Sequence, residues 1–141
     1  KSITPEEVQK RLSSSEKLTS IDELSSKCRI FNTQQGTIGV GYYCSKENSR
    51  QHDVSMIANE NYVSVFHGVI YNKAELLREL YGSNGHEDFK PDSALILDAY
   101  QKRHEECINH FNGRYVFVII NKNDQAVFVG RDRLGKVRLY Y

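Results

Sequence analysis

The sequence predicts an α+β fold built on mainly antiparallel sheet, and three observations carry that expectation. Apolar runs bounded by turn residues recur as hairpin pairs on both sides of the chain's middle. Two stretches between them gather their apolar residues on one helical face. The run Tyr115 to Ile120 is apolar at every position, as in a central strand covered on both sides. About six or seven strands with such a strand among them close most simply as two face-to-face sheets with helices outside, a four-layer αββα sandwich.

The elements follow in order. Thr4 as N-cap, Pro5 at the first helical position and Glu7 closing a capping box start a short helix to Leu12, with Ile3 and Val8 as its hydrophobic staple. Ser13 to Ser15 break it, and Ser20 with Glu23 repeats the capping box for a brief second helix ending near Lys27. Strand pattern begins at Cys28: Arg29 to Thr33 and Thr37 to Cys44 flank Gln34, Gln35 and Gly36 as a hairpin. Ser45 to Asp53 reads as a loop. Val54 to Ala58 and Tyr62 to Phe66 form a second hairpin around Asn59, Glu60 and Asn61.

Asn72 is placed to cap a helix carrying Leu76, Leu77 and Leu80 and ending at Gly82. Asp92 is placed to cap another carrying Leu95, Ile96, Ala99 and Tyr100, with Gly82 to Pro91 as the exposed loop between them. Asn112 and Gly113 turn the chain into the strand Arg114 to Asn121, and Lys122 to Asp124 turn it again into Gln125 to Gly130. An Arg-Asp-Arg-Leu-Gly turn leads to a last strand ending at Tyr141.

The 141 residues are 39% hydrophobic and 26% charged, the balance of one ordinary globular domain. Nineteen Lys and Arg against 18 Asp and Glu leave a net charge of +1, which gives no field for nucleic acid or anionic lipid. No apolar run has the length of a membrane span or a signal-peptide core, so the expectation is a cytoplasmic protein. Cys28, Cys44 and Cys107 are odd in number, without Cys-x-x-Cys spacing, and read as inert thiols rather than a disulfide framework or zinc site. His52, His67, His86, His104 and His110 show no ligand spacing either.

Four strings go beyond fold class: His67-Gly-Val-Ile-Tyr-Asn72, Pro91-Asp-Ser-Ala-Leu-Ile-Leu97, Phe111-Asn-Gly-Arg-Tyr-Val-Phe117, and Gly130-Arg-Asp-Arg-Leu-Gly135 with Leu139-Tyr-Tyr141. Their order and spacing resemble the glutaminase domain of asparagine synthetases, class II glutamine amidotransferases of the N-terminal-nucleophile hydrolase superfamily. The resemblance covers Tyr62 to Tyr141 and implies the αββα sandwich expected above. It also implies a chemistry in which an N-terminal Cys thiolate attacks the glutamine side-chain amide, its own α-amino group acting as base. Backbone and Asn donors stabilise the resulting oxyanion.

Transferred residue by residue, the resemblance implies a degenerate glutamine pocket at His67, Gly68 and Asp92. His67 stands where the family has the oxyanion Asn, Val69 where it has Glu, and Ala94 where the amine-binding motif has its second acid. Gly68 keeps a backbone donor, and Asp92 matches the amine-binding Asp while serving equally as a helix cap. His67 reads either as an imidazole donor or as a strand-end His with an ordinary hydrogen-bond partner. Tyr42 or Tyr43 stands near the carboxylate-binding Arg, and a phenol cannot make a bidentate clamp.

The chain opens with Lys1, so no catalytic residue is assigned, and Ser2 leads into a helix instead of a nucleophile-bearing strand. Arg131, Asp132 and Arg133 read as an interdomain ion-pair cluster facing a synthetase domain, or as a solvated turn. The expectation is a single domain over 1–141, the N-terminal part of a longer chain or the partner of a separate synthetase. It would have lost glutamine hydrolysis and act as scaffold for an ATP-dependent amide-forming ligase of the β-lactam-synthetase or lasso-peptide-cyclase type. The alternatives are a working glutaminase whose Cys lies upstream of Lys1, and a stand-alone binding protein. No cofactor is expected in this domain. ATP and Mg belong to the synthetase, whose Ser-Gly-Gly-x-Asp-Ser motif is absent here, and glutamine remains a candidate ligand.

Overall fold

The computed structural model describes Thr4, residues 6–7, 10–11, 24–33, 36–45, 54–82 and 90–139. It divides into two compact units, residues 1–50 with 122–125 and residues 51–121 with 126–141.

In the first unit Glu6, Glu7, Lys10 and Arg11 are helical. The capping box forms in both directions: the Glu7 amide donates to Thr4 Oγ1 at 3.3 Å, and the Thr4 amide to Glu7 Oε2 at 3.4 Å. Ile3, Val8 and Leu12 lie outside the described residues. Strand β1, Leu24–Thr33, pairs antiparallel with β2, Gly36–Ser45, from Leu24 opposite Ser45 to Thr33 opposite Gly36. The hairpin is the expected one, but it starts at Leu24. Residues 24–27 are therefore strand, against the expected end of a second helix. Ser25 and Ser26 are weak helix formers, and ladder pairing with Cys44 and Tyr43 overrides the local capping signal.

In the second unit β3, Val54–Ala58, and β4, Tyr62–Ile70, form the predicted hairpin. Asn59 Oδ1 accepts from the amides of Asn61 and Tyr62, at 3.0 and 2.8 Å, which closes the turn. Helix α1 is Lys73–Tyr81 and helix α2 is Asp92–Arg103. A 3₁₀ stretch, His104–His110, follows after His104 takes a φ of 51°. Strand β5, Gly113–Asn121, lies between β4 and β6, Val127–Arg131, in an antiparallel sheet of order β3-β4-β5-β6.

Both helices cover one face of that sheet. Phe66, Ile70, Tyr115, Phe117 and Ile119 from the strands pack with Leu76, Leu77, Leu95, Ile96 and Leu97 from the helices. Each such side chain removed from water contributes roughly 1.5–3 kcal/mol. On the opposite face Val65, Val116 and Val118 are half-buried and Val127 and Val129 exposed, which accounts for the unbroken apolar run of β5.

The helix ends are held by side chains. Lys102 Nζ donates to the Glu79 and Leu80 carbonyls at 3.1 and 3.4 Å, satisfying last-turn acceptors of α1. Lys90 Nζ meets Asp98 and the Tyr81 hydroxyl at 3.0 Å each, and Tyr81 donates to Asp98, so the two ends of the 83–89 segment are pinned to both helices. That segment lies outside the described residues. No described helix is long and apolar enough to cross a membrane.

Two expectations fail here. Residues 136–139 form no strand, because the turn before them curls around Asp132. The sixth strand runs Val127–Arg131, two residues later at its start than Gln125, because Ala126 still closes the turn by accepting from the Asn121 amide at 2.9 Å.

Candidate functional site

Three pieces of the second unit carry the residues singled out by sequence. The first is the end of the β4–β5 pair. His67 lies opposite Val116, Gly68 opposite Tyr115 and Val69 opposite Arg114. Because strand side chains alternate, His67 and Val69 are exposed on the face away from the helices, while Phe66 and Ile70 point into the core. Gly68 has a φ of +129°, and a Cβ there would stand 2.0 Å from the Arg114 carbonyl oxygen. Only glycine allows this approach.

The second piece is the start of α2. The sequence expects Asp92 to cap the helix, but Pro91 holds the N-cap position, its extended ψ of 149° aiming its carbonyl at the amides of Ala94 and Leu95. Asp92 is the first helical residue, where a carboxylate complements the helix dipole. Its carboxylate is taken by Lys73: Nζ sits 2.7 Å from Oδ1 and also donates to the Lys90 carbonyl at 2.9 Å. The Asp92 side chain is only 15% exposed. The helix start is tied to β3 through the Ser93 amide, which donates to Ser55 Oγ at 3.0 Å.

Asn72 also departs from expectation. It stands at the N-cap of α1 but makes no side-chain cap. Instead Nδ2 donates to the His110 carbonyl at 2.9 Å, and Oδ1 accepts from the Asn112 amide at 3.0 Å. With the Tyr71 amide donating to the Asn112 carbonyl at 2.7 Å, this bracket ties the His67-to-Asn72 string to the Phe111-to-Phe117 string. Replacing Asn72 by alanine strands buried partners and is expected to lower stability by about 1–3 kcal/mol, read as a shift in the denaturant midpoint at unchanged slope.

The third piece is the turn after β6. Asp132 is buried at 4% exposure between exposed Arg131 and Arg133, yet it pairs with neither. Its Oδ1 accepts from the Leu134 and Lys136 amides at 3.1 and 3.0 Å, and its Oδ2 from the Val137 amide at 3.3 Å. Gly135, at φ +59°, completes the turn, its Cα side covered by the Arg131 guanidinium. Burial alone would push the Asp132 carboxyl up, but the amides of Lys136 and Val137 outweigh it and hold the group below its ordinary value.

A carboxyl depressed on folding stabilises fully above its unfolded pKa, and that contribution fades as pH falls through the folded value. Stability is therefore expected to decline on acidification below about pH 4. Asp132→Asn should flatten that acid limb, as urea midpoints followed downward from neutral pH would record.

Beside this turn a cleft of 690 Å³ opens, lined among others by Phe111, Asn112, Tyr115, Arg131, Arg133 and Leu134. Sequence reasoning missed it, since its aromatic floor comes from the unforeseen 3₁₀ stretch and from a strand residue read only as core. Burial first, then the charges of Asp132 and Cys107, push the Tyr115 phenol up to about 12, with Arg133 opposing. Burial likewise pushes the Cys107 thiol up to about 11, so it stays protonated and unreactive. Cys28 lies opposite Gly41 and Cys44 opposite Ser25 in the first hairpin, where Tyr42 and Tyr43 also stand. Ser2 is outside the described residues. Among those residues, no group of three or more His, Cys, Asp or Glu is arranged to hold a metal.

Comparison with known proteins completes this picture. A family model described as a glutamine amidotransferase domain matches residues 43–141. The chain is 27% identical over 95 residues to asparagine synthetase [glutamine-hydrolyzing] 3 of Bacillus subtilis, covering 67% of this chain and 16% of that protein. It is 35% identical over 83 residues to asparagine synthetase [glutamine-hydrolyzing] 1 of the same organism, covering 59% and 13%. It is 31% identical over 81 residues to asparagine synthetase B of Escherichia coli, covering 57% and 14%. The matched region takes in all of the second unit from β3 onward, including the four strings and the brackets that join them. A segment with this sequence likeness and this strand and helix order belongs to the glutamine amidotransferase domain family, of the kind carried by asparagine synthetases.

Proposed function

We propose that this chain is a glutamine amidotransferase-type domain that does not cleave glutamine and serves as the structural companion of an ATP-dependent, amide-forming synthetase domain in the same or another chain. The observation that carries the reading is the state of the position matching the amine-binding Asp: Asp92 is closed off by Lys73 at 2.7 Å. A carboxylate already paired in a half-buried site has to break that pair before it can bind a substrate ammonium. His67 in place of the oxyanion Asn and Val69 in place of Glu support it further, because a valine offers no hydrogen bond to a polar substrate.

The structural parts point the other way. The Asn72 bracket and the Asp132 turn are built in full, so the frame is retained where the pocket is altered. Arg131 and Arg133, exposed at that turn, fit a surface facing the synthetase. In this reading ATP and Mg act in the partner, the sandwich has four αββα layers, and the protein works in the cytoplasm. Helices α1 and α2 on one face of the four-stranded sheet supply two of those layers.

A second reading is favoured by the relatives' own names, which describe glutamine-hydrolysing enzymes: the domain releases ammonia from glutamine for its partner. One assay separates them. The complete gene product, given ATP, Mg and glutamine, is expected to release no ammonia above the uncatalysed background. Ammonia release saturable in glutamine establishes the second reading.

A further inference from the structure

The cleft beside the 131–135 turn shares no residue with His67, Gly68 or Asp92, and its chemistry is of a different kind. Tyr115 is 98% buried by its 2% exposure, lines the cleft, and its hydroxyl has no hydrogen-bond partner among the described residues. A buried phenol normally finds one. Arg131 and Arg133 line the same cleft, and neither guanidinium has a carboxylate within ion-pair distance among the described residues. Asp132, the acid next to both, is committed to three backbone amides. The cleft thus gathers hydrogen-bond donors in excess, over an aromatic floor made by Phe111 edge-on to Tyr115 at 5.9 Å.

We infer that this cleft binds a carboxylate, accepted by the Arg133 and Arg131 guanidiniums and the Tyr115 hydroxyl, with the ligand's carbon chain lying over Phe111. Planar, forked guanidiniums match a carboxylate's two oxygens, and the phenol fills a remaining lone pair. A neutral amide of the same shape offers one acceptor and places its own N–H against these donors. The carboxylate comes either from a free small acid or from an acidic side chain of the synthetase domain. Only the choice of source rests on the proposed function.

The test uses the complete gene product and the arginine reagent phenylglyoxal, with modified peptides mapped by mass spectrometry. Glutarate is the probe, its diamide the control, and exposed Arg78 on α1 the internal reference. For a free acid, glutarate is expected to slow modification of Arg131 and Arg133 by about tenfold while leaving Arg78 unchanged. Tyr115→Phe, which keeps the ring, should then weaken protection by about tenfold in glutarate concentration. For a partner side chain, both arginines are already shielded without glutarate at low salt, and Tyr115→Phe or high salt exposes them. Arg131 and Arg133 reacting like Arg78 throughout, or equal protection by the diamide, overturns the inference.

Discussion

Gly68→Ala is expected to cost roughly 3–5 kcal/mol, close to the whole stability of many domains. Two penalties add at this residue. The φ of +129° is strained for any side chain, and the new Cβ would stand 2.0 Å from the Arg114 carbonyl and 2.8 Å from Tyr115 Cα. Both obstacles are backbone, so neither can rotate aside. The β4–β5 ladder has to part at the end where His67 and Val69 are presented. Thermal unfolding of the variant should be lowered by roughly 10 °C or more, or lose its cooperativity altogether. A midpoint within a few degrees of the parent's would show that the two strands do not approach this closely.

Phe117→Ala is expected to be about as damaging, at about 3–5 kcal/mol, by a different route. The ring is 1% exposed and stacks or packs edgewise with Phe111, Tyr115 and Phe128 at 5.6–5.9 Å between centroids. It also fills the space over Gly130, where a Cβ would meet it at 2.4 Å. Removal leaves a cavity in the middle of β5 that flat neighbours cannot close. Phe117→Leu retains most of the volume and should lose about 1–1.5 kcal/mol, so the ratio of the two denaturant midpoint shifts separates cavity cost from aromatic contact.

Much of this fold is legible in the sequence wherever local signal and tertiary need agree. Thr4 with Glu7, Asn59 before Tyr62, and the leucines of α1 each satisfy a short-range rule, and each element forms where that rule puts it. Failures occur where a long-range partner takes the deciding group. Asn72 looks like a cap, but its amide serves a segment nearly forty residues away, at His110 and Asn112. Asp92 looks like a cap, but Lys73 holds it. Residues 24–27 carry helix signal, but pairing with β2 makes them strand.

The candidate site is legible only in part for the same reason. Motif spacing finds His67, Gly68, Asp92 and Arg131 to Arg133, because those positions are defined by neighbours in the chain. That Asp132 is spent on amides, leaving both arginines free beside a buried phenol, depends on how the turn folds back against Tyr115. No local pattern encodes that meeting.

Calorimetric titration of glutamine into the complete gene product addresses the central claim most directly, since it asks whether the pocket still grips its family's substrate. With Asp92 held by Lys73, the prediction is no saturable heat from the pocket at millimolar glutamine. Saturable binding abolished by Asp92→Asn would contradict it, for it would place that carboxylate on the substrate's ammonium rather than on the lysine.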